Sequence, residues 1–188
     1  MQVFEDLIFK ATDLENGQLQ MGEYENCEFI GLNLSENNWS NFRFIDCQFK
    51  DCDLSVISLI NTSLRNVEFK QCKMLTLQFD QCNKLALSAQ FYNCNLTGSI
   101  FYGVKLPKTN FVDCNLEEVD FTGADLSFSK LEGSTLTNCI FSQTNLSNVS
   151  FLGTTGLILS PNQNQVKNAI FGQEHLISLL EEYRIKVV

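Results

Sequence analysis

Residues 91–131 read FYNCNLTGSIFYGVKLPKTNFVDCNLEEVDFTGADLSFSKL, and every fifth residue, beginning with Phe91, is large and apolar. The same spacing runs from Phe4 to Phe79 and on to Phe151, with an offset of two residues within 80–90. Steps of five residues spiral around an α-helix and alternate between the two faces of a strand, so this period fits neither element. It predicts a chain that turns a corner once per five residues and points each large residue, here called a centre residue, inward.

Four such corners close a square coil, with one repeat unit on each side. Stacked coils would hydrogen-bond as a parallel sheet with a spacing of about 4.8 Å. The sequence therefore predicts an all-β solenoid of about seven coils over residues 1–156, with the two-residue register slip at 80–90. A C-terminal tail over residues 157–188 follows it.

All eight cysteines lie two residues before a centre position. They are Cys27, Cys47, Cys52, Cys72, Cys82, Cys94, Cys114 and Cys139. Small residues such as Thr62, Ala89 and Ser99 occupy the same place in other units, which indicates packing because a free cysteine behaves as a small buried hydrophobe. Pairs one coil apart, such as Cys27 and Cys47, would lie close enough for a disulfide. We expect reduced thiols instead, because the repeats begin at Phe4 without a signal peptide and a cytoplasmic location follows.

The composition argues against several classes of function. No apolar stretch is long enough to cross a membrane. No CxxC pair occurs, and the single histidine, His175, lies in the tail without an evident partner, so we expect no metal and no cofactor. A packed interior of apolar and small residues leaves no pocket in which a nucleophile and a base would converge, so we expect no enzyme.

Several units carry a family resemblance. Cys94-Asn95-Leu96-Thr97-Gly98 and Gly123-Ala124-Asp125-Leu126-Ser127 resemble the pentapeptide-repeat consensus, in which a small residue and Asp or Asn precede leucine. The resemblance extends over residues 2–155 and implies a right-handed quadrilateral parallel β-helix, in agreement with the geometric argument.

The net charge of −9 is unevenly distributed along the chain. Residues 1–36 carry eight acids and one lysine, residues 37–110 five acids and eight cations, and residues 111–132 six acids and one lysine. An acidic chain repels nucleic acid directly and attracts basic surfaces. The alternative is a solvated acidic face that only keeps the rod soluble.

The tail contains two helix signals. Ser160 followed by Pro161 predicts a helix start and a short helix over residues 161–169. A second helix is predicted from Gln173 to Tyr183, where one apolar stripe falls at helical spacing. The stripe consists of Leu176, Leu179, Leu180 and Tyr183. Two roles are open for this tail: it covers the open end of the solenoid, or it forms a homodimer through the stripe.

The tail, with its paired leucine and the ending Ile185-Lys186-Val187-Val188, resembles that of Qnr-type and MfpA-type pentapeptide-repeat proteins. The resemblance implies a two-fold dimer, and a non-enzymatic rod that imitates duplex DNA and binds DNA gyrase, modulating it or protecting it from fluoroquinolones. Candidate contacts are Glu117, Glu118, Asp120 and Asp125, which lie nearer the centre of such a dimer and share the contact with the distal acids of residues 1–36. The alternative is a structural or scaffold protein that binds an unknown protein partner through one flat face.

Overall fold

The computed structural model describes residues 1–14, 16–180 and 183–184. Nine short strands form one parallel sheet that winds around the molecule. They are β1 (Gln2–Glu5), β2 (Ile8–Phe9), β3 (Gly22–Glu25), β4 (Glu28–Ile30), β5 (Arg43–Ile45), β6 (Gln48–Lys50), β7 (Ser63–Lys70), β8 (Leu87–Tyr92) and β9 (Phe111–Val112). The predicted solenoid is confirmed.

Consecutive coils stack in register, one coil directly over the next. Phe9 of β2 is in register with Phe29 of β4, which is in register with Phe49 of β6. Parallel strands span about five turns, which differs slightly from the expected seven coils. Isolated parallel bridges continue the stacking beyond β9, as far as the pair Ser150 and Ile170.

Each coil has four faces, numbered here by the centre residues of one coil: Phe44 for the first face, Phe49 for the second, Leu54 for the third and Leu59 for the fourth. The centre residues are buried along the rod. In the first coil Phe4, Phe9 and Leu14 are only partly buried. Centre residues in that coil have a neighbouring coil on one side alone, so they keep part of their surface exposed.

The corner between two faces lies two residues after each centre, and most corner residues have a positive φ. Asn, Asp and Gly are common there, as at Asn26, Asp46 and Gly123, because they enter the left-handed region at the lowest cost. The next residue points inward and is small. Thr62 is one such residue, and its Oγ1 donates to the carbonyl oxygen of Trp39 in the preceding coil at 2.7 Å.

The register changes once. Phe49 pairs with Phe69 at the regular spacing of one coil. Phe69 pairs with Phe91, so this coil contains the two additional residues of the expected slip. Two 3₁₀ turns, Phe79–Gln81 and Lys84–Ala86, take up the additional residues. Leu85, at the tip, is 99% exposed.

The prediction of a helix over residues 161–169 is wrong. The segment holds only the 3₁₀ turn Pro161–Gln163, after which Gln165 bridges to Asn145 and Ile170 to Ser150. Pairing of coils therefore continues beyond residue 156. Phe171 stacks on Phe151 with ring centroids 5.0 Å apart, as a centre residue would.

The second helix is shorter than expected within the described residues. It consists of the 3₁₀ turn Gln173–His175 and the α-helix α1 (Leu176–Leu180). The remaining 3₁₀ segment, Ala11–Asp13, lies near the N-terminus. The ending Ile185–Val188 lies outside the described residues. No helix in the described part of the chain has the length and hydropathy to cross a bilayer.

Candidate protein-binding surface

The interior of the rod is filled by side chains. Phe29 and Phe49 stack with ring centroids 4.3 Å apart, and the column continues to Phe69 at 5.3 Å. Several hydroxyls that point inward donate to the preceding coil: Thr144 Oγ1, for example, donates to the carbonyl oxygen of Phe121. Among the described residues, the inward side chains pack on one another.

The eight cysteines are free, as predicted; seven are buried and Cys139 is half-buried. Burial raises the pKa of the Cys47 thiol to about 12, and it does the same for Cys139. Since the thiolate is the reactive form, these groups are poor nucleophiles at neutral pH. Among residues 1–14, 16–180 and 183–184, no group of three or more His, Cys, Asp and Glu is placed to hold a metal ion.

His175 has a partner, contrary to the expectation from sequence. Its ring is buried against the last coil, with Nε2 3.0 Å from Thr154 Oγ1 and 3.1 Å from the Thr154 carbonyl oxygen. Nδ1 lies 3.8 Å from a Glu174 carboxylate oxygen. The Thr154 hydroxyl itself donates to the carbonyl oxygen of Phe151. These contacts attach the segment before α1 to the solenoid.

The four candidate acids do not share one face. Glu118 occupies the corner between the third and fourth faces with φ +59°, and Glu117 and Asp120 lie on either side of it. Asp125 lies on the first face, bridged between Lys105 and Asn145. Its carboxylate accepts hydrogen bonds from the Ser127 backbone N–H and from Asn145 Nδ2.

The acids also lack acidic neighbours along the rod axis. Asp120 stacks between Ile100 and Ile140, and Asp125 between Lys105 and Asn145. Strands in register lie about 4.8 Å apart, so the equivalent residue of the adjoining coil is the nearest axial neighbour. The negative charge around these candidates therefore forms patches, with no continuous strip along the axis.

Lysine and arginine residues are unevenly distributed among the four faces. Dividing the sequence into consecutive ranges did not reveal this distribution. The described ion pairs between acids and Lys or Arg lie on three faces: Arg43–Glu23 on the first, Lys70–Glu68 on the second and Lys73–Asp53 on the third. The hydrogen bond from Lys70 lowers the pKa of Glu68. Tabulating the sequence in steps of one coil would have shown this sorting.

A surface groove of about 710 Å³ lies on the first face, with Leu85 at its edge. Arg43, Arg65 and Glu23 line it together with asparagine and serine side chains. It contains no histidine or cysteine, so its residues suit polar contact with a partner more than nucleophilic catalysis.

The predicted stripe on the tail helix is divided between two environments. Leu179 is partly buried against the solenoid core, and Leu180 is half-buried. Leu176 is 54% exposed and Ile177 69% exposed. Tyr183 is half-exposed, and its hydroxyl accepts a hydrogen bond from Asn162 Nδ2 at 2.9 Å. One side of the helix thus attaches to the rod, and the other presents apolar surface.

The family profile described as Pentapeptide repeat region matches residues 22–86 and 75–151. Two solved structures of QnrB1, a plasmid-mediated fluoroquinolone resistance protein, are similar to the chain. A trypsin-treated variant superposes with a TM-score of 0.66 at 19% identity, over 99% of this chain and 97% of that one. Full-length QnrB1 gives 0.58 at 20% identity, over 98% and 100%. At these identities the likeness shows the fold alone. No curated protein sequence matches the chain.

Proposed function

The chain belongs to the pentapeptide-repeat family, and from that premise we propose that it is a non-enzymatic rod that binds DNA gyrase as a mimic of duplex DNA. By occupying the enzyme's DNA-binding surface it would modulate gyrase or protect it from fluoroquinolones. The observation that carries this proposal is the match with QnrB1 over nearly the whole of both chains, the C-terminal segment included.

Charge supports the proposal in part. The chain has a net charge of −9, and a negatively charged rod is attracted to a cationic groove built for DNA. Glu118 and Asp120 are outward carboxylates suited to such contacts, since neither belongs to a described ion pair.

We propose that the protein acts in the cytoplasm as a homodimer joined through α1. The exposed Leu176 and Ile177 support this arrangement, because adjacent apolar side chains at the end of a rod are typical of an interface. In such a dimer the acids of residues 1–36 lie at the two far ends, and Glu117, Glu118 and Asp120 lie nearer the centre.

The direct test is a gyrase supercoiling and cleavage assay with and without ciprofloxacin, using gyrase from the source organism. We expect inhibition of supercoiling, protection from drug-induced cleavage, or both, at micromolar protein. A variant with Leu34 and Leu54 replaced by Asp controls for folding, because both are fully buried centre residues. If native protein leaves both reactions unchanged, the gyrase proposal is rejected.

A second candidate function is a scaffold that binds another protein through one face. The observation in its favour is the patchy charge: Asp120 has isoleucines as its axial neighbours, and Asp125 has Lys105 on one side. A duplex presents regular negative charge along its axis. A rod with separated patches therefore also suits a partner that contacts one local area.

A further inference from the structure

One of the four faces carries no cation at all. The fourth face includes residues 36–41, 56–61, 76–81, 98–103, 118–123 and 138–143, which stack on one another and contain neither lysine nor arginine. The other faces do carry cations, among them Arg43 and Arg65 on the first, Lys50 and Lys70 on the second and Lys73 on the third. All six fourth-face segments lie within the described residues.

The acids of this face lack charged partners. Glu36, Asp80, Glu118 and Asp120 lie on it, and none belongs to a described ion pair. Asp80 Oδ1 is buried and has no hydrogen-bond partner among the described residues. This oxygen therefore receives no described hydrogen bond that would compensate its charge within the chain.

The same face exposes apolar side chains. Val56 is 58% exposed, Ile60 54% and Tyr102 58%. Val56 also adopts φ +60°, a conformation that is unfavourable for a β-branched residue. Val56 lines a groove of about 250 Å³ together with Ser58, Thr76, Gln78 and Gln81. Exposed apolar groups beside uncompensated acids match the composition of a protein-binding surface.

We propose that the fourth face is the docking surface for a basic protein segment. An apolar side chain of the partner occupies the groove beside Val56. Lysine or arginine residues of the same segment contact Asp80 next to the groove, and Glu118 and Asp120 two coils further toward the C-terminal end. Nucleic acid does not fit, because the face has no cation to contact phosphate. A second fourth face does not fit either, because it would bring like charges together.

This proposal rests on one part of the proposed function, that the rod binds a protein. It adds which face makes the contact. The probe is a synthetic peptide of alternating lysine and leucine, followed by amide NMR of the full chain at low salt. We expect shifts concentrated on the fourth face, for example at Thr76, Gly98 and Tyr102. Shifts concentrated on the first or second face, or no binding, would overturn the proposal.

Two matched triple variants test the charges. D80N, E118Q and D120N together remove three of the four negative charges of the fourth face, and E5Q, E25Q and E28Q together remove the same charge from the first and second faces. The first set should weaken peptide binding about tenfold, given the modest energy of each exposed ion pair. The second should leave it within about twofold. Equal weakening by both sets would contradict the proposal.

Tyr102→Ser and Phe128→Ser form a matched apolar pair, since the two side chains are 58% and 57% exposed and only Tyr102 lies on the fourth face. Only the Tyr102 variant should weaken peptide binding.

Repeating the charge variants with gyrase separates the fourth-face proposal from the gyrase proposal. If the peptide docks on the fourth face but gyrase does not bind, the gyrase proposal is rejected and the fourth-face proposal stands. If gyrase binds and only the E5Q, E25Q and E28Q set weakens that binding, the fourth-face proposal is rejected and the gyrase proposal stands.

Discussion

The middle of the solenoid and its C-terminal segment bury apolar surface to very different extents. Phe49 is fully buried between the rings of Phe29 and Phe69. In α1, by contrast, Leu176 and Ile177 are more exposed than buried. Each inner coil is covered by the coils on both sides, whereas the last element covers the core on one side alone. Packing within the chain therefore stabilises the middle, whereas the end keeps exposed apolar surface.

Truncation in the middle gives the largest expected effect. Phe49→Ala should lower the free energy of unfolding by about 3–5 kcal/mol, the usual cost of deleting a buried phenylalanine. Phe128→Ala, at an exposed corner, should change it by no more than about 0.5 kcal/mol. Urea unfolding followed by circular dichroism measures both. Similar losses for the two variants would show that the assigned inside and outside of the coil are wrong.

The buried thiols should make the middle sensitive to alkali. Burial raises the Cys47 pKa from 9.0 to about 12, so the folded state retains its proton where the unfolded state loses it. The associated stability is complete below about pH 9 and is lost as the pH rises from there toward 12. At about pH 10.5 the loss amounts to about 2 kcal/mol for this thiol.

Unfolding free energies of wild type and Cys47→Ala, measured across this pH range, test that prediction. The variant is less stable at neutral pH but should lose less stability on going to pH 10.5 or so. Parallel curves for the two proteins would show that Cys47 does not titrate differently in the folded and unfolded states.

Substitutions in the C-terminal segment should affect assembly more than folding. If the proposed dimer forms, replacing Leu176 and Ile177 with Ser should convert it to a monomer with an unchanged melting temperature, because both side chains are exposed within the chain. Leu179→Ser and Leu180→Ser should also separate the dimer, with some loss of stability because Leu179 packs on the core. Light scattering reports the mass. If wild type is monomeric, the segment is only an end cap.

Single charges should give the smallest effects. Glu118→Gln removes an exposed corner carboxylate and should weaken gyrase binding a few-fold. Asp125→Asn should weaken it less, because Lys105 lies beside Asp125 in the stack. Raising the salt concentration should reduce the difference between the variants. A larger effect of Asp125→Asn would place the contact on the first face.

The period of five predicted the solenoid and the inward residues because packing imposes it on each coil. The prediction of a helix over 161–169 was wrong because the segment carries two conflicting sequence signals. Ser160 and Pro161 are typical of a helix start, but Val166 and Phe171 continue the five-residue spacing from Phe151. Packing on the preceding coil outweighed the local capping signal. The distribution of charge could not be predicted from consecutive blocks, since neighbours in sequence point to different faces.

The sharpest test of the central claim is competition between this protein and linear duplex DNA for gyrase. Fluorescence anisotropy of labelled DNA, titrated with the protein at two salt concentrations, measures it. We expect the rod to displace DNA, the two never to bind gyrase together, and displacement to weaken as salt rises. A ternary complex of gyrase, DNA and the protein, or DNA binding unchanged by the rod, would contradict it.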